Sequence, residues 1–418
     1  MFKAPRGTTD ILPQEQPYWR SVEHKAADIS RLYGYERIDS PAFEDTGLFT
    51  RGVGQGTDIV EKEMYTFTDK GDNQITLRPE GTAPVCRAYI EHGMHNLPQP
   101  VKLYYFAAIF RYERPQAGRM RQHYQFGCEA IGDDDPALDA EVIDLARQFL
   151  LSLNLQKLSL HLNSIGCKKC RPEYLATLKE YYANSVTVLC PDCQTRFQRN
   201  PLRLLDCKNP SCQPVAEAAP GSADHLCPDC ARHFTELQKY LQLLEIPFAL
   251  NHRLVRGLDY YTRTVFEIQP EQGGSQSTIC GGGRYDNLIE ELGGKPAPAI
   301  GFAMGMERII LNLKNQTISA PPLAGTQVYL ADMGGTTREE AIKLAARLRK
   351  AGISAITAPG SKSLKAQLRQ ANTAGARYTV IIGEEEQEKG CAVLKNMSTA
   401  QQDIIPLAEI LERVRKPG

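Results

Sequence analysis

The sequence predicts an α+β body built on an antiparallel sheet, interrupted by a helical cysteine-rich insertion and followed by a small α/β domain. Three observations lead to this. Residues 101–132 read as a hairpin of two long extended runs. Eight of the twelve cysteines fall between Ser164 and Pro247. From Gln327 onward, short apolar runs alternate with helical patterns, the mark of a sheet with helical cover. A chain of 418 residues can hold two or three domains, each with its own core.

The first part, residues 1–163, opens with an amphipathic helix from Pro17 to Tyr33. In the hairpin, the run from Val101 is β-branched and aromatic and ends in Arg111 and Glu113. Its return strand sets Tyr124, Phe126 and Cys128 on one face and Gln125, Gly127 and Glu129 on the other. The second set suits the floor of a small-molecule pocket, with Gly127 allowing a ligand close to the backbone. The same alternation also fits the solvated face of a half-buried strand. Asp135 and Pro136 then read as cap and first-turn proline of a helix striped by Leu138, Val142, Leu145, Phe149 and Leu150.

The insertion, residues 164–250, has helical stretches at Arg171–Tyr182 and Cys230–Leu244. The body resumes over residues 251–315, with strand-like sequence from Arg253 to Gln269, a glycine cluster and a helix from Gly305 to Leu313. Residues 316–325 carry the proline and small polar content of a linker. In the last domain, residues 326–418, strands are expected at Gln327–Leu330, Ile353–Thr357, Tyr378–Ile382 and Ala392–Lys395. Thr337 to Glu340 reads as a capping box, with further helices at Lys362–Ala371 and Pro406–Arg415.

Formal charge is balanced, with 49 basic and 49 acidic side chains, so global charge points to no nucleic-acid partner. Local charge does. Between Ala341 and Gly383 stand eight basic residues and no acidic one, the expected footprint of a polyanion partner; a solvated basic helix face is the alternative. No apolar run approaches the roughly 20 residues that span a bilayer, and the start has no export pattern, so a cytoplasmic protein without a membrane partner is expected. In that compartment cysteines are reduced thiols or metal ligands. Cys167 with Cys170, Cys190 with Cys193, and Cys227 with Cys230 form CxxC pairs, and Cys207 with Cys212 makes a looser fourth. Eight thiols can fill two Cys₄ zinc sites with a structural role, or remain reduced structural thiols. His233 is the one candidate for an extra ligand.

Four further segments set arginine or glutamate beside glycine or tyrosine: TLRPEGT (76–82), RLVRGLDYYTRTVFE (253–267), CGGGRYD (280–286) and IGFAMGMER (300–308). With the hairpin they resemble the signature motifs of class II aminoacyl-tRNA synthetases, and among these the histidyl-tRNA synthetases. Motif 1 corresponds to Ile38–Phe49 with Pro41, motif 2 to FRYE with its loop and return strand, and motif 3 to GFAMGMER; LVRGLDYYT and GGGRYD match the two histidine signatures. The resemblance implies a class II synthetase-like fold, an anticodon-binding C-terminal domain and a homodimer. It implies ligation of L-histidine to tRNA(His), with ATP and Mg²⁺, through a histidyl-adenylate. Arg111, Arg256 and Arg308 are then the catalytic cations, with Arg111, Glu113 and Arg308 on ATP. Glu80, Gly81, Thr82, Arg111, Gln125, Glu129, Arg256, Tyr260 and Tyr261 would bind histidine. Gly281, Gly282 and Gly283 would let the ligand reach the backbone, and Arg284 and Tyr285 would wall the pocket. Arg114, Gln116, Arg119 and Arg121 of the motif 2 loop would contact the tRNA. The rival class is a non-catalytic, synthetase-like regulatory subunit of ATP phosphoribosyltransferase. Such a subunit would lack part of Arg256–Tyr261, Arg308 or the C-terminal domain.

Overall fold

The computed structural model describes residues 2–54, 56–115, 119–271, 278–323, 325–358, 360 and 362–415. It divides into two compact units, Met1–Ala320 and Pro321–Gly418.

The first unit is organised by an eight-stranded sheet. From edge to edge its strands are Glu36–Arg37, Val101–Phe110, Gln122–Ile131, Ala299–Gly305, Cys280–Arg284, Thr262–Pro270, Leu158–Ser164 and Ala249–Leu250. The interior pairings are antiparallel, as expected, while the two short edge strands pair in parallel. Alternation separates the faces. Phe126 and Cys128 turn into a core shared with Trp19, Phe149, Leu237 and Phe302 on the helices Gln16–Leu32, Pro136–Ser152 and Pro228–Leu243 and on a neighbouring strand. The Phe126 ring meets Phe149 at 4.9 Å and Phe302 at 5.7 Å. Burying such a side chain is worth about 1.5–3 kcal/mol, so this face fixes the strand register. The register in turn sends Gln125, Gly127 and Glu129 to the opposite face.

Asp135 caps its helix as expected, accepting from the Ala137 N–H at 2.8 Å. Residues 253–261, read as the start of a strand, instead form a loop, and the strand begins at Thr262. The loop is pinned by Asn163, whose Nδ2 donates to the Leu254 carbonyl at 3.0 Å. A separate three-stranded sheet joins Phe43–Asp45, Gln74–Leu77 and Tyr65–Thr68.

The second unit is a five-stranded sheet in the order Ala355–Thr357, Val328–Asp332, Tyr378–Ile382, Cys391–Asn396, Gln402–Pro406. The first three strands are parallel and the last two antiparallel. Thr337 does not open a capping box. The helix runs from Gly335 to Lys350, and the Thr337 hydroxyl donates back to the Gly334 carbonyl at 2.7 Å. Gln402–Pro406 is an unexpected strand; only Ile405 of it is buried, so it carries no alternation to read. The final helix starts at Ile410, not Pro406.

Candidate active site

The polar face of the large sheet floors a cavity of about 220 Å³. At one end sit two buried carboxylates. Glu129 accepts from the hydroxyls of Tyr285 at 2.6 Å and Thr82 at 2.8 Å, with the Tyr105 phenol at 3.4 Å. Burial pushes its carboxyl up to about 8, with those hydroxyl bonds opposing and Glu80 adding to the rise. Glu80 accepts from the backbone N–H groups of Thr82 and Ala83, each at 2.7 Å. It thereby satisfies the open first turn of the helix Thr82–Glu91, and the Tyr260 phenol reaches it at 3.4 Å. Burial raises Glu80 as well, against the pull of those N–H groups and Arg111. Gln125 Oε1 lies beside these acids, buried and without a hydrogen-bond partner among the described residues. An ammonium or amide donor is the group that would satisfy it.

The other end is cationic. Arg111, Arg119, Arg256 and Arg308 all line the same cavity. Arg111 is aimed by a 2.7 Å bond from Nε to the Pro79 carbonyl. Arg308 is aimed by a 2.7 Å bond to the Thr278 carbonyl. Arg256 pairs with Glu267; burial works against its charge, but Glu267 and the Tyr261 phenol outweigh it and raise its pKa. Arg308 is lowered, by burial first and then by the Arg119 and Arg111 guanidiniums. Crowded like charges of this kind are relieved by an anion, and planar guanidinium forks suit phosphate oxygens and carboxylates. Burial together with Arg111 also depresses His123 to about 3, leaving it neutral.

Of the residues singled out in the sequence, Glu80, Gly81, Thr82, Arg111, Glu113, Gln125, Glu129, Arg256, Tyr260, Tyr261 and Arg308 all line this one cavity. Arg114 and Arg119 are exposed on the motif 2 loop, with Arg119 3.4 Å from Glu113. Arg121 turns back, its guanidinium 3.9 Å above the Tyr112 ring. Gln116 lies outside the described residues.

Three expectations are corrected. Arg284 does not wall the pocket: it is fully buried elsewhere, bound to Asp139 at 2.8 Å and Asp286 at 3.0 Å. Only Gly281 of the glycine run faces the cavity; Gly282 is needed because a Cβ there would meet the Gly301 carbonyl at 2.4 Å. Gly127 makes room for protein and not for a ligand, since a Cβ would stand 2.3 Å from the Tyr105 ring. Sequence reasoning also missed Tyr105, His123, Glu267, Thr278 and Glu307. Glu307 accepts from the Tyr124 N–H at 3.0 Å, and burial raises it to about 7. The one signal for Tyr105 was its aromatic ring opposite a glycine on the paired strand.

The cysteines gather into two foursomes, Cys167–Cys170–Cys227–Cys230 and Cys190–Cys193–Cys207–Cys212, with the sulfurs of each within 4.8 Å of one another. The separations Cys167–Cys170, Cys167–Cys227 and Cys190–Cys207 are each 3.8 Å, and Cys170–Cys230 is 3.9 Å. A tetrahedron with Zn–S bonds of about 2.3 Å has edges of about 3.8 Å, whereas a disulfide needs about 2.05 Å. Backbone N–H groups of Lys169 and Asn209 point at Cys167 and Cys207 Sγ, both at 3.4 Å, as they would to steady thiolates. His233 is not a fifth ligand; its ring faces Asp139 at 3.5 Å.

An antiparallel sheet with parallel edges, carrying one cavity with an arginine end and an acid end, is the architecture of the class II synthetases. The histidyl-tRNA synthetase family model matches residues 7–169 and 202–309, and an anticodon-binding-domain model matches residues 327–417. A histidine–tRNA ligase of Dehalococcoides mccartyi is 60% identical over 416 residues, covering 100% of both chains. Apo histidyl-tRNA synthetase of S. aureus superposes with a TM-score of 0.84 at 38% identity, covering 100% of both. An ATP phosphoribosyltransferase regulatory subunit/histidyl-tRNA synthetase from Bacillus halodurans C gives 0.66 at 22% identity, covering 92% of this chain and 98% of that one, a likeness of fold alone. The chain belongs to the histidyl-tRNA synthetase family.

Proposed function

We propose that the chain activates L-histidine with ATP and transfers it to tRNA(His). The carrying observation is that an acid-and-phenol end and an arginine end face one another in a single cavity. In the first step a histidine carboxylate oxygen attacks the α-phosphorus of ATP in line, and the bond to pyrophosphate breaks. In the second, the terminal ribose hydroxyl of the tRNA takes the acyl group and AMP leaves with the electron pair. Such transfers need positioning and charge neutralisation more than covalent help. Arg111 and Arg256 hold the carboxylate against the α-phosphate, and Arg308 holds the γ-phosphate. Glu80, Thr82 and Gln125 take the ammonium, while Glu129 and Tyr261 take the two imidazole nitrogens beside Tyr260. Tyr105 and Tyr285 hold Glu129 in place. Because these groups are buried, an analogue without the matching nitrogens would leave them unpaired, which can cost roughly 10⁴ to 10⁵ in specificity.

Glu113, whose Oε2 lies 3.4 Å from the Arg119 guanidinium, is a hard oxygen donor beside the ATP end. It fits Mg²⁺ held mainly by phosphate oxygens, an ion that supplies further charge neutralisation. Structural Zn²⁺ fits the two cysteine foursomes. Arg114 and Arg119 suit acceptor-stem contact, with Arg121 bracing the loop. A cytoplasmic homodimer is the remaining part of this reading. Exposed Phe43 and Phe67 on the small sheet beside motif 1 support the dimer, and sedimentation as a monomer would refute it.

Histidine-dependent ATP–pyrophosphate exchange tests the whole reading. Wild-type protein should exchange with histidine alone, and Arg256→Ala should lose about 10³-fold, the scale of one removed transition-state donor. Equal exchange with another amino acid would overturn it. The regulatory alternative fares worse, because Arg256, Tyr260, Tyr261 and Arg308 all stand in the cavity and the C-terminal domain is present.

A further inference from the structure

We infer that the two cysteine centres clamp the segment Asp259–Tyr261, with Arg171 and Asn200 as positioning residues that set histidine affinity. This rests on the zinc and ligase readings above. The first foursome takes two sulfurs from each end of the insertion, so one ion there ties entry to exit. Arg171 follows Cys170 directly, and its N–H donates to the Cys167 carbonyl at 2.9 Å. Its guanidinium spans Ile165, Gly166 and Tyr261, donating to their carbonyls at 3.2, 3.1 and 2.5 Å. The turn between is tight. Gly166 has φ +68°, and a Cβ there would lie 2.8 Å from Cys170 Sγ. Displacing Cys170 therefore displaces the fork that holds Tyr261.

The second foursome brackets the helix Pro191–Arg199. That helix and the residue after it dock on the body through Arg196 to Asp58 at 2.9 Å, Arg199 to Glu61 at 2.8 Å, and Asn200 to Asp259 at 2.7 Å. Asp259 immediately precedes Tyr260, and its N–H donates to the Val53 carbonyl at 3.1 Å. The loop is thus gripped at Asp259 from one centre and at Tyr261 from the other. Both grips fall on Asp259–Tyr261, whereas Arg256 is held separately by Glu267, so the cavity's arginine end keeps its own support.

The experiment measures zinc content by mass spectrometry of metals, and KM for histidine and for ATP separately, on the full-length protein. Wild type should carry two zinc equivalents, and Cys227→Ser one. Arg171→Met should keep two equivalents and raise KM for histidine about tenfold, the scale of a lost charge-assisted bond, with KM for ATP unchanged and partial rescue in Arg171→Lys. Asn200→Ala should shift the same KM by a smaller factor. A zinc-free wild type would overturn the metal reading and the clamp with it. Two retained equivalents with an unmoved KM for histidine in Arg171→Met, or with both KM values and kcat moved together, would overturn the clamp alone. Exchange with an amino acid other than histidine would instead strike the ligase reading.

Discussion

The two units handle charge in opposite ways. In the first, Arg284, Asp139, Glu129 and Glu80 are each 3% exposed or less. In the second, Lys343 and Arg347 keep 67% and 50% of their side-chain surface in water, and Asp332, paired with Arg338, is the one buried carboxylate among its described residues. A buried ionisable group must be matched at fixed geometry, so it specifies where neighbouring groups stand. An exposed charge is screened and replaceable, so it contributes a field. Part of the basic run also has a local purpose: Arg347, Arg349 and Lys350 close the helix Gly335–Lys350, where cations complement the helix dipole. Geometry is thus concentrated in the unit with the cavity, and attraction in the unit matched to anticodon-binding domains.

The largest expected effect breaks the buried side of this contrast. Arg284→Met leaves Asp139 and Asp286 without their partner and should destabilise the fold by about 3–5 kcal/mol in urea unfolding; a loss below about 1 kcal/mol would mean the network is not holding the sheet. Next comes pH. Burial raises Glu129 to about 8, Glu307 to about 7 and Asp139 to about 6. Each folded carboxyl keeps a proton that the unfolded chain has already released, so stability falls as pH rises from the ordinary carboxylate range through those values. Unfolding midpoints measured across that range should decline, and Glu129→Gln should flatten the upper part; a flat wild-type profile would show that these acids ionise freely. The smallest effect concerns the exposed side. Lys365→Ala and Arg369→Ala should each weaken tRNA binding a few-fold and lower the salt slope by about 1. A change in amino-acid preference from either would contradict the division of labour.

Much of this was legible because a strand's two-residue period is a local property. The faces of Gln122–Ile131 could be read directly, and with them Gln125 and Glu129. Glycine was harder. At Gly127 and Gly282 the reason for a missing side chain is a ring or carbonyl brought in by the neighbouring strand, so the sequence shows the vacancy without its occupant. Arg284 looked like pocket lining for the same reason: its partner Asp139 is 145 residues away. His123 and Glu307 stayed hidden because burial, which neutralises the one and raises the other, exists only once the sheet is closed.

Tyr105 has its ring lodged between Gly81 and Gly127, where a methyl at either position would collide at 2.4 or 2.3 Å, while its oxygen steadies Glu129. One phenol therefore couples two sequence signatures that an engineer would treat as independent dials. Anyone reshaping this enzyme toward a different amino acid must redesign all three positions in concert, because a side chain added at either glycine strikes the ring, and trimming the ring takes the phenol away from Glu129.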